Sequence, residues 1–108
     1  MIDVAKSFPE EKFHEHGCYV MMKGPRFETP AEIKFLKMIG GDLVGMTGAP
    51  EVVLANELEI DYASINLATN YGAGLQNQTK VTHEEVTELF NKKIDILKKI
   101  VLTVIEYI

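Results

Sequence analysis

Three turns rich in glycine, proline or threonine each follow a short apolar run within residues 23–75. Their sequences are GPRFET, GMTGAPE and ATNYGAGL. Short apolar runs separated by segments with helical spacing indicate strands that alternate with helices, and this alternation produces a mostly parallel sheet. Loops that leave the carboxyl ends of such strands lie along one edge of the sheet. We therefore expect the three turns to form one ligand site.

The pattern predicts an α/β chain with the element order βαβαβα. Strands are expected at Tyr19–Met22, Leu43–Met46 and Tyr62–Ala68, with helices at about 30–39, 50–58 and 83–107. The last helix carries a wide apolar stripe. We expect this helix to pack on the sheet and part of its stripe to face another chain, so that the protein forms an oligomer.

Two of the expected helices begin with a capping box, in which a threonine is followed three residues later by a glutamate. Thr29 and Glu32 form the first pair, and Thr82 and Glu85 form the second. Residues 40–41, both glycine, are expected to end the first helix.

Charge and cysteine content exclude several classes of function. The 108 residues suffice for about one domain and carry a net charge of −5. No basic cluster exceeds a lysine pair, which argues against binding of nucleic acid or an anionic membrane. Cys18, the single cysteine, is expected to be a small core residue of a buried strand in a cytoplasmic protein. Residues 1–17 are expected to form an irregular arm, and residues 18–108 the domain.

Several turn residues have both a binding and a structural interpretation. Phe27 could stack on a ring or fold back over the core. Glu28 could accept hydrogen bonds from ring N–H groups or simply be solvated. Thr47 could bind an anion together with free helix N–H groups or cap the helix. Asn70 could pair with an amide-like edge or serve as a turn former.

Four motifs together carry a resemblance to a known family. In order they are GPRFET, VGMTGAPEVVLANE, YASINLATNYGAG and THEEV. This series resembles the C-terminal half of the trimeric purine nucleoside phosphorylase and methylthioadenosine phosphorylase family, over about residues 17–108. The resemblance implies a three-layer α/β/α phosphorylase-like fold, present as its C-terminal βαβαβα portion. Residues 18–108 would then be a partial nucleoside phosphorylase domain.

The resemblance also implies an activity and a set of site residues. The family cleaves purine nucleosides with phosphate, giving free base and ribose 1-phosphate, with no metal and no cofactor besides inorganic phosphate as co-substrate. The implied catalytic residue is Asn70, which would stabilise the leaving base. The implied substrate-binding residues are Phe27, Glu28, Met46, Thr69 and His83, and the implied phosphate-binding residue is Thr47.

The resemblance also bears on which purine base the substrate carries. Glu28 with Asn70 favours 6-oxopurines, because an amide can donate to a 6-oxo group, whereas family members that accept 6-aminopurines tend to carry aspartate at the position of Asn70. His83 leans slightly towards a 5′-hydroxyl. A methylthio substituent at that position, as in methylthioinosine or methylthioadenosine, stays open.

The family's chains are more than twice this length, and their N-terminal half supplies a glycine-rich phosphate loop with an arginine and a histidine. Three expectations follow. The chain could be completed by a separate N-terminal half chain, it could be a truncated non-catalytic relative that self-associates and binds purines weakly, or its own oligomer could complete the site.

Overall fold

The computed structural model describes residues 1–8, 12–77 and 82–108. Along this part of the chain the elements are α1 (Ile2–Lys6), β1 (Tyr19–Met21), α2 (Pro30–Met38), β2 (Leu43–Gly45), α3 (Gly48–Glu57) and α4 (His83–Tyr107). The described residues thus form helices and one small parallel sheet.

The two strands are parallel and in register. Tyr19 of β1 lies opposite Leu43 of β2, and Met21 lies opposite Gly45. Helix α2 connects the strands, as a parallel pair requires. Because both strands run in the same direction, the turns that follow β1 and β2 leave the same edge of the sheet.

The ends of α2 are fixed by local hydrogen bonds that the sequence predicts. The hydroxyl of Thr29 accepts from the backbone N–H of Glu32, and the Glu32 carboxylate accepts from the backbone N–H of Thr29. At the other end Gly40 has a φ of +91°, and the N–H of Gly41 donates to the carbonyl of Leu36 at 2.9 Å. This is the Schellman arrangement, which favours glycine in the left-handed region. Both predicted helix boundaries are confirmed.

Buried side chains form two small groups. Ile33 and Leu36 of α2 are buried together with Ala73 of the third turn, while Val4 and Ala5 of α1 are buried where α1 packs on α4. Helix α3 buries none of its residues. Among the described residues no helix is long and apolar enough to cross a membrane.

Four expectations are wrong. Residues 62–68 form no strand, because a strand needs a neighbour for its backbone N–H and C=O groups, and β1 and β2 pair only with each other in the described part of the chain. The expected irregular arm, 1–17, contains α1. Cys18 is exposed, since it precedes β1 at the edge of the sheet. Finally, α4 packs on α1 instead of on the sheet.

Candidate functional site

The first turn is closed by an ion pair that the sequence did not predict. Nη1 of Arg26 donates to Oε2 of Glu32 at 2.8 Å, and Nη2 donates to Oε1 at 2.6 Å. Nη1 also donates to the carbonyl of Phe27 at 3.1 Å. Phe27 itself is exposed and Glu28 is half-buried. Glu28 has no hydrogen bond or ion pair with any described residue, so its carboxylate is available to a ligand.

Hydrogen bonds shift the pKa values of the paired groups in the first turn. The Arg26 guanidinium, followed by the backbone N–H of Thr29, lowers the pKa of Glu32 from 4.5 to about 2. The hydrogen bonds to Glu32 also raise the pKa of Arg26. The carboxylate of Glu32 is therefore charged over the whole physiological range and is fully committed to holding the turn.

The second turn lies against the first. A Cβ added to Gly24 would lie 2.7 Å from Sδ of Met46, so the Met46 side chain crosses directly over the first turn and would have to shift to admit a larger residue there. Met46 is half-buried there, while Thr47 is exposed at the N-cap position of α3. The hydroxyl of Thr47 makes no capping hydrogen bond, so it is not used by the helix. The N–H of Ala49 donates to Sδ of Met21 at 3.3 Å.

The third turn holds Asn70 in a short chain of hydrogen bonds. Oγ1 of Thr69 donates to Oδ1 of Asn70 at 2.8 Å, and Nδ2 of Asn70 donates to the carbonyl of Tyr71 at 2.9 Å. An amide nitrogen carries two hydrogens, so one N–H of Asn70 remains for a ligand. Asn70 is exposed and Thr69 is half-buried.

The third turn packs on the first half of α2. A Cβ added to Gly72 would lie 2.8 Å from Cδ1 of Ile33, and one added to Gly74 would lie 3.0 Å from Cβ of Pro30. Helix α2 begins two residues after Glu28. The loop that carries Asn70 therefore lies on the helix that follows the turn carrying Glu28. A groove of about 420 Å³ lies between α2 and residues 73–75, and none of the predicted site residues lines it.

His83 is exposed as the first residue of α4. Among the described residues, no hydrogen bond joins its side chain to the three turns. Its predicted role at the ribose 5′ end thus has no support from the contacts of this chain. Close approaches join the first turn to the second and the third turn to α2. The role of His83 stays a prediction.

Two of the side-chain pairings near the turns are not among the expectations from the sequence. Arg26 with Glu32 is the first, and its only signal was two opposite charges on either side of a helix start. The second is between α3 and the following segment, where the hydroxyl of Tyr62 donates to Oε2 of Glu51 at 3.0 Å. This hydrogen bond to Glu51 raises the pKa of Tyr62. Glu51, in the first turn of α3, therefore has a side-chain hydrogen-bond partner. No group of three or more potential metal ligands occurs in the parts of the chain that the structure describes.

Helices and a small parallel sheet are consistent with a partial α/β fold of the phosphorylase class, and comparison with known proteins identifies the family. The family model for the phosphorylase superfamily matches residues 2–106. The chain belongs to this superfamily.

Several characterised or curated proteins are similar to it. A protein of Thermococcus kodakarensis named probable 6-oxopurine nucleoside phosphorylase is 51% identical over 96 residues, which are 89% of this chain and 36% of that protein. The 6-oxopurine nucleoside phosphorylase of Pyrococcus furiosus is 49% identical over the same shares of the two chains. A protein of Methanopyrus kandleri named probable S-methyl-5′-thioinosine phosphorylase is 52% identical over 94 residues, 87% of this chain and 36% of that protein.

A solved structure has the same fold over most of the chain. Methylthioadenosine phosphorylase from Schistosoma mansoni in complex with adenine superposes with a TM-score of 0.77 and 37% identity, over 82% of this chain and 31% of that one. The chain thus spans about a third of the length of the relatives that it matches.

Proposed function

We propose that this chain provides the base- and ribose-binding side of a purine nucleoside phosphorylase site that acts on 6-oxopurine nucleosides. The reaction is phosphate-dependent cleavage to the free base and ribose 1-phosphate. Two relatives that are about 50% identical to this chain are named as 6-oxopurine nucleoside phosphorylases, one of them as probable, and they support the proposal. The remaining support comes from which hydrogen-bonding groups of the three turns are already used and which remain.

The observation that carries the proposal is the hydrogen-bond chain through Asn70. Because Thr69 donates to Oδ1 and Nδ2 donates to Tyr71, the amide is held with one N–H unused. A purine that leaves ribose gains negative charge on its ring, and an N–H aimed at O6 or N7 stabilises that charge. Asn70 is therefore the proposed catalytic residue, and Thr69 holds its orientation.

Glu28 completes the recognition of the base. A 6-oxopurine carries a hydrogen on N1, whereas adenine has an acceptor there. The unpaired carboxylate of Glu28 can accept from this N–H, and Asn70 can donate to the neighbouring 6-oxo group. Together the two side chains favour hypoxanthine- and guanine-type bases.

The other site residues have supporting roles in the proposal. Phe27, which is 41% exposed, can stack on the base, and Met46 forms an apolar surface for the ribose. The unused hydroxyl of Thr47 at the start of α3 is suited to phosphate. His83 would bind the ribose 5′ end. Relatives with nucleoside and methylthionucleoside names both occur, so a 5′-methylthio group is the alternative to a hydroxyl.

One observation favours a second candidate function, a non-catalytic purine-binding protein that self-associates. Arg26 is the only arginine, and its guanidinium is occupied by Glu32. The described residues therefore offer no unpaired guanidinium to clamp phosphate and stabilise the developing charge. Phosphorolysis would then require a partner, either the protein's own oligomer or a separate N-terminal half chain.

The experiment that tests the proposal uses the purified chain with inosine. We expect hypoxanthine to bind, and hypoxanthine to be released from inosine only when phosphate is present. Calorimetry measures binding, and chromatography of the products measures turnover. Hypoxanthine binding without turnover at high enzyme concentration would favour the non-catalytic candidate. A chain that binds neither inosine nor hypoxanthine would refute the site assignment.

A further inference from the structure

We propose that Arg26 and Glu32 form a clasp that positions Phe27 and Glu28 for binding of the purine. The inference rests on the proposed function, because it concerns how that site is held. Neither residue is predicted to touch the base. Both are positioning residues that act through the two side chains between them.

The geometry of the clasp encloses the recognition residues. Arg26 and Glu32 are six positions apart, and two parallel N–H to oxygen bonds of 2.8 and 2.6 Å join them. A third hydrogen bond fixes the carbonyl of Phe27 to the same guanidinium at 3.1 Å. On the other side, Oε2 of Glu32 accepts from the backbone N–H of Thr29 at 2.7 Å. The backbone on both sides of Glu28 is thus tied to one ion pair.

This arrangement requires arginine. A guanidinium donates in a planar fork, so it can bind both carboxylate oxygens and a carbonyl at the same time. A lysine ammonium carries the same charge but lacks the fork. The pair is also partly exposed, with side-chain exposures of 59% for Arg26 and 30% for Glu32. Exposed ion pairs contribute little to stability, so the geometry of the turn is the property that this one controls.

The clasp also keeps the recognition carboxylate available. The hydrogen bonds and the charge of Glu32, and to a smaller extent the charge of Glu28, raise the pKa of Arg26. Its hydrogen bonds nevertheless all go to Glu32 and to the carbonyl of Phe27. If Glu32 were lost, the guanidinium could turn to Glu28, which is close by, and would compete with the purine N1–H. Glu32 therefore keeps the Arg26 guanidinium from pairing with Glu28, the residue proposed to recognise the base.

The test compares variants of the clasp with variants of a similar ion pair elsewhere. Arg26→Lys retains the charge, and Glu32→Gln retains a side chain that can complete a capping box. The matched control is Lys92→Ala, which removes the exposed pair of Lys92 with Glu88, joined at 2.7 Å in α4. Calorimetry gives the dissociation constant for hypoxanthine. Hydrogen exchange without ligand reports on the amide of Thr29, whose N–H donates to Glu32, and urea unfolding reports on stability.

We expect Arg26→Lys and Glu32→Gln each to weaken hypoxanthine binding by about tenfold, which corresponds to the loss of one well-placed hydrogen bond to a charged group. Exchange at the Thr29 amide should accelerate, while the urea midpoint changes little. The double variant should bind no more weakly than the weaker single variant, because both substitutions remove the same clasp. Lys92→Ala should bind as the wild type does.

The outcomes separate this inference from the proposed function. Wild-type protein that binds hypoxanthine, with both clasp variants binding equally well, would overturn the clasp alone. Loss of binding that is matched by an equal loss of stability would also overturn it, because the pair would then be structural. Wild-type protein that binds no purine would overturn the proposed function and the clasp together.

Discussion

At the scale of single residues, some hydrogen-bonding groups of the candidate site are used within the chain and others are left for a ligand. Oδ1 of Asn70 is used by Thr69, while one N–H stays unused. In the first turn the Glu32 carboxylate is fully hydrogen-bonded, whereas the Glu28 carboxylate has no hydrogen bond to any residue that the structure describes. In the proposed function these remaining groups select the base, since an unpaired polar group in a binding site discriminates against ligands that cannot satisfy it.

Replacing the Asn70 amide with a carboxylate should change the preferred base. Asn70→Asp converts a donor into an acceptor, so the ratio of adenine to hypoxanthine affinity should rise by about tenfold, the equivalent of one hydrogen bond. Calorimetry with both bases measures this ratio. Asn66→Asp is the control, because Asn66 is also exposed and only donates to Oγ of Ser64 at 3.1 Å. An unchanged ratio in Asn70→Asp would remove Asn70 from the base-binding site.

At the scale of elements, the helix caps are the features that the sequence predicts best. A capping box involves residues three positions apart, so local hydrogen bonds alone determine whether it forms. Both boxes, at Thr29 and at Thr82, occur as expected. The boundaries of β1, β2, α3 and α4 also lie within a residue or two of the prediction.

Features that depend on distant partners were not predictable in this way. The alternating pattern of residues 62–68 fits a strand, but pairing with another strand decides whether it becomes one. The clasp depends on the rotamer of Arg26, and a sequence does not specify which of two nearby glutamates a guanidinium will choose. In the same way, the exposure of Cys18 depends on what covers β1. The apolar sequence around Cys18 shows only that the segment is hydrophobic.

The start of α2 should be sensitive to acid. Hydrogen bonds from Arg26 hold the pKa of Glu32 at about 2 in the folded chain, below its ordinary value of 4.5. A depressed pKa means that the stabilisation is fully present above 4.5 and is lost as the pH falls from 4.5 towards 2. Because the pair is exposed to solvent, this contribution is small. Urea midpoints measured across that window should therefore fall only slightly less steeply in Glu32→Gln than in the wild type. Equal slopes would mean that Glu32 loses no native interaction on protonation.

The cap of α4 should contribute to stability. Oγ1 of Thr82 accepts from the N–H of Glu85 at 3.3 Å, and Thr82→Ala removes this acceptor. We expect a loss of about 1 kcal/mol in the free energy of unfolding. Thr87→Ala is the matched control, since the Thr87 hydroxyl donates back to the carbonyl of His83 inside the same helix. Alanine is favoured at such interior positions, so that variant should be neutral or more stable. Equal effects of the two substitutions would contradict a capping role.

At the scale of the whole molecule, the chain has more surface than a compact protein of its mass. Its accessible area is 8700 Å², whereas about 6000 Å² is typical for a folded monomer of this size. The radius of gyration is 15.2 Å, compared with about 13 Å for a compact chain of equal length. Exposed apolar side chains occur on α2, α3 and α4, among them Met38 at 76%, Leu54 at 58% and Ile105 at 60%. Surface of this kind favours association.

We therefore expect the purified chain to associate at micromolar concentration. Light scattering coupled to size exclusion should give a mass of at least twice 12.1 kDa. Ile105→Lys, on the apolar stripe of α4, should shift the equilibrium towards monomer. Glu106→Gln changes the net charge by the same amount on the adjacent polar position and should leave the mass unchanged. A monodisperse wild-type monomer would contradict the expectation.

The pairing of β1 with β2 across α2 also has a kinetic consequence. Tyr19 and Leu43 are partners across only 24 positions of sequence. The entropy lost in closing a loop grows with its length, so a unit this local should form early on the folding pathway. The contact between Gly24 and Met46 lies at its edge. Substitutions at this contact should therefore slow folding, whereas substitutions where α1 meets α4 should mainly speed unfolding.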